Sequence, residues 1–115
     1  MGIQWQVDWQ KTRHGEMPVF RFDARHALIA TLLSADVQRT GVQRFRQALE
    51  SVRSGLEPSV EINGNVCSVM IGQERVLILD ALAVDGIGNA CAVRVDVFDR
   101  ILDAWETALQ EVRGT

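Results

Sequence analysis

The sequence predicts an α+β fold: an antiparallel sheet of hairpins and meanders carrying two amphipathic helices, in the order β-β-(β)-α-β-β-β-α. Three observations support it. Apolar residues alternate with period two near the N-terminus and return in short strand-like runs between Val60 and Val95. Asn63-Gly64 and Gly72-Gln73 divide those runs as tight turns. Two other segments, about 35–53 and 96–112, repeat apolar residues every three or four positions instead. Strands joined by tight hairpins make the sheet antiparallel, with the helices packed on it.

Ile3, Trp5, Val7 and Trp9 alternate with Gln4, Gln6, Asp8 and Gln10, which is the pattern of a half-buried strand. Lys11 to Glu16 is polar and contains Gly15, so it turns the chain. Met17 to Phe22 returns as a second strand. Pro18 has no N–H to donate, which places this strand at an edge or makes Pro18 its opening residue. Residues 24–33 hold Ala27, Leu28, Ile29, Ala30, Leu32 and Leu33, a short apolar run compatible with a strand or a helix. Because Ser34 reads as a fresh helix cap, the run is expected to be the third strand of a meander. Val37, Gly41, Phe45, Leu49 and Val52 then line one face of a helix from about Ala35 to Arg53, with Asp36 at the positive end of its dipole. Gly41 costs such a helix about 1 kcal/mol against Ala and marks a close packing contact. Gly55 and Pro58 stop it.

Val60 and Ile62 lead into Asn63-Gly64, where a two-residue hairpin needs positive φ at both central positions. Val66 to Ile71 is the returning strand, Val76 to Leu79 the next, and Cys91 to Val95 one more. The connection 80–90, with Gly86 and Gly88, is expected to be exposed. Asp96 then caps a last helix, followed by the apolar stripe Phe98, Ile101, Leu102, Trp105, Leu109 and Val112.

With 115 residues, 47% hydrophobic and 23% charged, the chain has the size and balance of one globular domain spanning 1–115. No apolar stretch is long enough for a membrane span. The N-terminus lacks a basic segment followed by an apolar core, and Cys67 and Cys91 read as buried thiols. Both features point to a cytoplasmic protein. Twelve bases against fifteen acids give a net charge of −3. Residues 1–57 carry eight bases and six acids, and residues 58–115 four bases and nine acids, so the C-terminal half holds the negative field. Such a field steers a basic partner rather than a phosphate backbone.

No catalytic signature is present. His14 and His26 have no ligand-spaced neighbours, Cys67 and Cys91 stand apart, and Gly86-Ile87-Gly88 lacks the third glycine and following helix of a dinucleotide loop. The chain is therefore expected to be no enzyme and to need no metal or cofactor. Trp5, Trp9, Phe20 and Phe22, near Lys11, Arg13, Arg21 and Arg25, are the best case for stacking nucleic-acid bases. With seven aromatic residues in all, the domain needs most of them inside, so they are assigned to the core and no nucleic-acid partner is expected. Asp99, Asp103, Glu106 and Gln110 follow one another at 4, 3 and 4 on the polar face of the last helix. Arg100 gives this stripe little local relief, and like charges at such spacing repel by a few tenths of a kcal/mol. A solvated face accounts for the stripe; a docking surface for a cationic partner gives it a use. Asp99, Asp103 and Glu106, with Asp85 in the 80–90 connection, are the expected partner-binding residues.

The segments Val60-Glu61-Ile62-Asn63-Gly64-Asn65 through Val76-Leu77-Ile78-Leu79, and Val97-Phe98-Asp99-Arg100-Ile101-Leu102-Asp103-Ala104-Trp105, resemble small bacterial immunity proteins. Those proteins serve contact-dependent growth inhibition and related polymorphic toxin systems. The likeness covers roughly the C-terminal half and carries no motif residue across. It implies a cytosolic α+β protein that binds a toxin's nuclease domain stoichiometrically and blocks its active site or substrate groove. Such nucleases are usually basic, which agrees with the negative C-terminal half. The other readings are a homodimeric regulatory or adaptor domain and, behind it, a nucleic-acid binder.

Overall fold

A computed structural model describes residues 3–13, 15–82 and 90–111. Six strands and three α-helices form two antiparallel sheets with helices between them, confirming the α+β class. The larger sheet has the order β3 (Val60–Asn63), β4 (Cys67–Ile71), β5 (Arg75–Asp80), β6 (Ala90–Arg94). Its inner face is apolar: Ile62, Val69, Ile71, Val76, Ile78 and Val93 are all buried. Helices α1 (Ala27–Leu32), α2 (Val42–Arg53) and α3 (Val95–Gln110) pack on that face. The two-stranded hairpin β1 (Trp5–Thr12) and β2 (Gly15–Phe22) lies against α1 and α3, so these two helices are covered on both sides.

The alternation in the first strand sets this hairpin's register. Trp5 faces Phe22, Val7 faces Phe20 and Trp9 faces Pro18 across the pair. Phe20 is buried and meets Trp105 of α3 edge-on, with ring centroids 5.4 Å apart. Trp5 and Phe22 are half-buried against the core and 6.0 Å from each other. Trp105 is 2% exposed and its indole N–H donates to the Gln38 carbonyl at 2.9 Å. Cys67 and Cys91 are free, buried thiols.

Four expectations need correction. Residues 24–33 do not form a strand. A 3₁₀ turn (Ala24–His26), capped by the Asp23 carboxylate on the His26 N–H, leads into α1. Leu28, Ile29, Leu32 and Leu33 are buried on one side, at spacings of 1, 3 and 1 that a helix satisfies and a strand does not. Ala and Leu are also better helix than strand formers. Ser34 consequently lies inside a helical run, where its hydroxyl donates back to the Ala30 carbonyl at 3.1 Å instead of capping anything.

The expected helix 35–53 is interrupted. A π turn (Leu33–Val37) ends the first helical run, closed by Gln38 N–H on the Leu33 carbonyl at 2.8 Å. Gln38 then has φ 53° and ψ −152°, a conformation that a non-glycine residue adopts only under constraint. The part-buried bond from the Trp105 indole N–H to its carbonyl contributes to that constraint. Helix α2 starts afresh at Val42. Gly41 marks the close contact expected of it, since a Cβ there would collide with the Val37 carbonyl oxygen.

The turn at Asn63-Gly64 is not the two-residue type. Asn63 pairs with Ser68, leaving four residues in the loop, and neither Asn63 nor Gly64 has positive φ. Asp36, expected at a helix dipole, reaches this loop instead. Its carboxylate accepts the N–H groups of Asn65, Val66 (3.2 Å) and Cys67 (2.7 Å). Any side chain at 64 would run into that carboxylate, so glycine is needed for close approach. Finally, Asp96 is not the cap of α3. The helix begins at Val95 with Arg94 in the cap position and no side-chain capping bond, and Asp96 sits in its first turn, paired with Arg94 at 3.1 Å.

Candidate protein-binding surface

The polar side of α3 faces the edge of α2. Phe45, Leu49 and Val52 bury the inner face of α2, which leaves Arg46 and Arg53, seven residues apart, along the border with α3. Arg46 reaches all three carboxylates of the predicted stripe: Asp99 at 3.3 Å, Asp103 at 2.7 Å and Glu106 at 3.0 Å. Arg53 adds a contact to Asp99 at 3.4 Å. Burial works against the Arg46 charge, but the hydrogen bonds and charges of Asp103 and Glu106 outweigh it and hold the guanidinium's pKa above its ordinary value. Arg53 also pairs with Glu50 at 3.9 Å, so four carboxylates against two guanidiniums leave two net negative charges in the cluster.

Asp99, Asp103 and Glu106 are therefore together, as the helical spacing requires, but they are not an unrelieved acidic stripe. The relief comes from 53 to 60 positions away in sequence, where a count of neighbours along α3 does not look. The available signal was the pairing of Arg46 with Arg53 beside the apolar face of α2. Asp85 lies outside the described residues, as do His14 and Gly86-Ile87-Gly88.

One aromatic residue departs from its assignment to the core. Trp9 is 41% exposed and makes no ring–ring contact with the described residues. It and Val7 overhang α3 and form one wall of a groove of about 460 Å³. Ala104 and Ala108 form the groove's floor, and Asp103 and Glu111 stand along it. Of the basic residues near the hairpin, Arg21 is paired with Asp8.

A second apolar surface lies on the outer face of the four-stranded sheet. Met70 and Leu77 are cross-strand neighbours there, with Leu79 opposite Ser68, and all three hydrophobic side chains are well exposed. Among the described residues, no group of three or more His, Cys, Asp or Glu is placed to hold a metal, and no helix is long and apolar enough to cross a membrane. Burial, followed by the charges of Asp36 and Asp80, pushes the Cys67 thiol up to about 11, and burial likewise raises Cys91. Both thiols are thus held in their unreactive protonated form.

No protein-family model matches the chain. No solved structure matches it either. Among curated proteins, the chain is similar to one from Bacillus cereus named "Immunity protein", with 28% identity over 111 residues that cover 96% of this chain and 93% of the relative.

Proposed function

We propose that the chain is a bacterial immunity protein that binds and neutralises a cognate toxin domain by stoichiometric association, without catalysis of its own. The observation that carries this reading is the near end-to-end similarity to the Bacillus cereus protein of that name. A match over 96% of the chain takes in the hairpin, the π turn and all three helices, so it extends well beyond the C-terminal half that first suggested the family.

The toxin domain is proposed to be a basic nuclease and the setting a contact-dependent or polymorphic toxin system, with the complex formed in the cytoplasm. The C-terminal half, with nine acids and four bases, supports a cationic partner. The outer edges of Asp99, Asp103 and Glu106, with Asp85 of the 80–90 connection, are the proposed contact residues. Arg46 changes how this must be tested. Neutralising only the three carboxylates would leave a part-buried guanidinium without partners, and the variant would lose stability for reasons unrelated to binding. The suitable variant is Asp99→Asn, Asp103→Asn, Glu106→Gln combined with Arg46→Gln. It should fold, associate more slowly with the toxin domain encoded beside its gene, and show a flatter salt dependence than wild type. An unchanged association rate and salt slope would place the interface on another surface.

A homodimeric adaptor remains the second reading, favoured by Met70, Leu77 and Leu79 on the uncovered sheet face. A concentration-independent monomer in sedimentation analysis would dismiss it.

A further inference from the structure

We propose that the groove between β1 and α3 is a receptor for an arginine side chain, supplied by the partner protein. That the partner is a toxin domain rests on the function proposed above; the chemistry of the groove does not.

The groove combines three features that suit this one side chain. Val7, Ala104 and Ala108 offer an apolar bed, which an arginine's aliphatic stem can cover. The Trp9 indole beside them is exposed and makes no ring–ring contact among the described residues, so it is open to stacking by a planar guanidinium. Carboxylates stand on the same groove at Asp103 of α3 and at Glu111 just past its end, eight residues or about 12 Å apart along the helix axis. One guanidinium cannot span both. Asp103 already accepts from Arg46 at 2.7 Å, whereas Glu111 has no ion-pair partner among the described residues. Glu111 is therefore the carboxylate that receives the incoming fork, while its other face lies on Trp9. A purely apolar occupant would leave Glu111 facing a dehydrated wall, and a lysine would lose both the stacking and the bidentate bond. An exposed tryptophan beside small residues is also the kind of anchor point that dominates protein interfaces.

The test uses N-acetyl-arginine methylamide and its neutral isostere N-acetyl-citrulline methylamide, titrated into the full chain. The readout is the indole N–H signals of the three tryptophans in ¹⁵N–¹H NMR. The arginine probe should shift the Trp9 signal saturably, and citrulline should bind about five-fold more weakly, as expected for loss of one cation–π contact and one exposed ion pair. Glu111→Gln, which removes the ion pair alone, should weaken the arginine probe by about two-fold. Trp9→Leu, at an exposed site that leaves folding intact by circular dichroism, should abolish the saturable probe shift at the Ala108 and Glu111 backbone amides, which line the same groove. Equal shifts from both probes, or no change in Glu111→Gln, would overturn the proposal. Tighter probe binding in Arg113→Gln would also overturn it, since the chain's own arginine would then be the occupant. A second arm separates this inference from the function it rests on. If a toxin domain binds wild type, Trp9→Leu and Glu111→Gln alike, the receptor falls and the immunity reading stands. If no toxin domain binds but the arginine probe does, the receptor stands and the immunity reading falls.

Discussion

Trp105 ties α3 to the hairpin and to the turn at Gln38, and its truncation should be among the most damaging single changes in the chain. The indole is 2% exposed, meets Phe20 of the hairpin edge-on at 5.4 Å, and donates to the carbonyl of the strained residue Gln38 at 2.9 Å. Trp105→Ala removes a buried aromatic ring, a change that costs about 3–5 kcal/mol where the site cannot collapse. It also leaves the Gln38 carbonyl without its donor. Gln38 and Trp105 both line a cavity beside the hairpin, so water can reach that carbonyl and limit the added penalty. A total near 4 kcal/mol follows, and at roughly 3–6 °C per kcal/mol for a chain of this size Tm should fall by about 12–24 °C. Trp105→Phe separates the contributions. It keeps an edge on Phe20 but deletes the N–H, so it should cost only about 1–2 kcal/mol. Calorimetry and urea unfolding with an unchanged m-value would measure both. If Trp105→Ala melts within about two degrees of wild type, or if the Phe variant is as unstable as the Ala variant, α3 does not clamp the hairpin as described.

Other consequences are as direct. Asp36→Ala should destabilise the protein by about 2–4 kcal/mol, because three loop N–H groups lose a charged acceptor; Gly64→Ala should be costly in wild type and nearly neutral in the Asp36→Ala background, a coupling that a double-mutant cycle in urea would reveal. Arg46→Gln should cost about 1–3 kcal/mol at low ionic strength, by removing the guanidinium that three carboxylates share, and part of that loss should return with added salt as their repulsion is screened. Cys67 has its folded-state pKa raised from 9.0 to about 11, so the unfolded chain releases this proton first; the thiol's contribution is fully present below pH about 9 and is lost between about 9 and 11, a fall of roughly 1–3 kcal/mol that Cys67→Ala should not show in chemical unfolding across that range.

The elements that read clearly in the sequence are those whose pattern is local. The 3–4 spacing of Phe98, Ile101, Leu102 and Trp105 reports one buried face, and burial in the fold follows it; the alternation from Ile3 to Trp9 reports the strand, but of its apolar residues Val7 and Trp9 stay exposed because nothing among the described residues packs along that part of the hairpin. The 24–33 run misleads because a short apolar segment lacks enough length to separate the two periods, and because Ser34 looks like a cap while its hydroxyl bonds backward. The break at 38–41 depends on two distant partners: the Trp105 indole that holds the Gln38 carbonyl and the loop that draws in the Asp36 carboxylate. The same holds at the surface. The spacing on α3 places Asp99, Asp103 and Glu106 together, but only tertiary packing brings Arg46 to them and leaves Trp9 outside the core beside Ala104 and Ala108. Glu111 gains its significance from that groove and has no local motif to announce it.

The central claim is neutralisation by one-to-one binding, and a stoichiometric titration tests it most directly. Purified chain is added stepwise to the catalytic domain of the toxin encoded beside its gene, at a toxin concentration well above the dissociation constant, while that domain's own activity is followed. The account predicts a linear fall in activity that reaches zero at an equimolar ratio and goes no further, with the complex recovered as a single species. Full toxin activity in the presence of excess chain, or loss of activity at strongly substoichiometric amounts as a catalyst would produce, would contradict it.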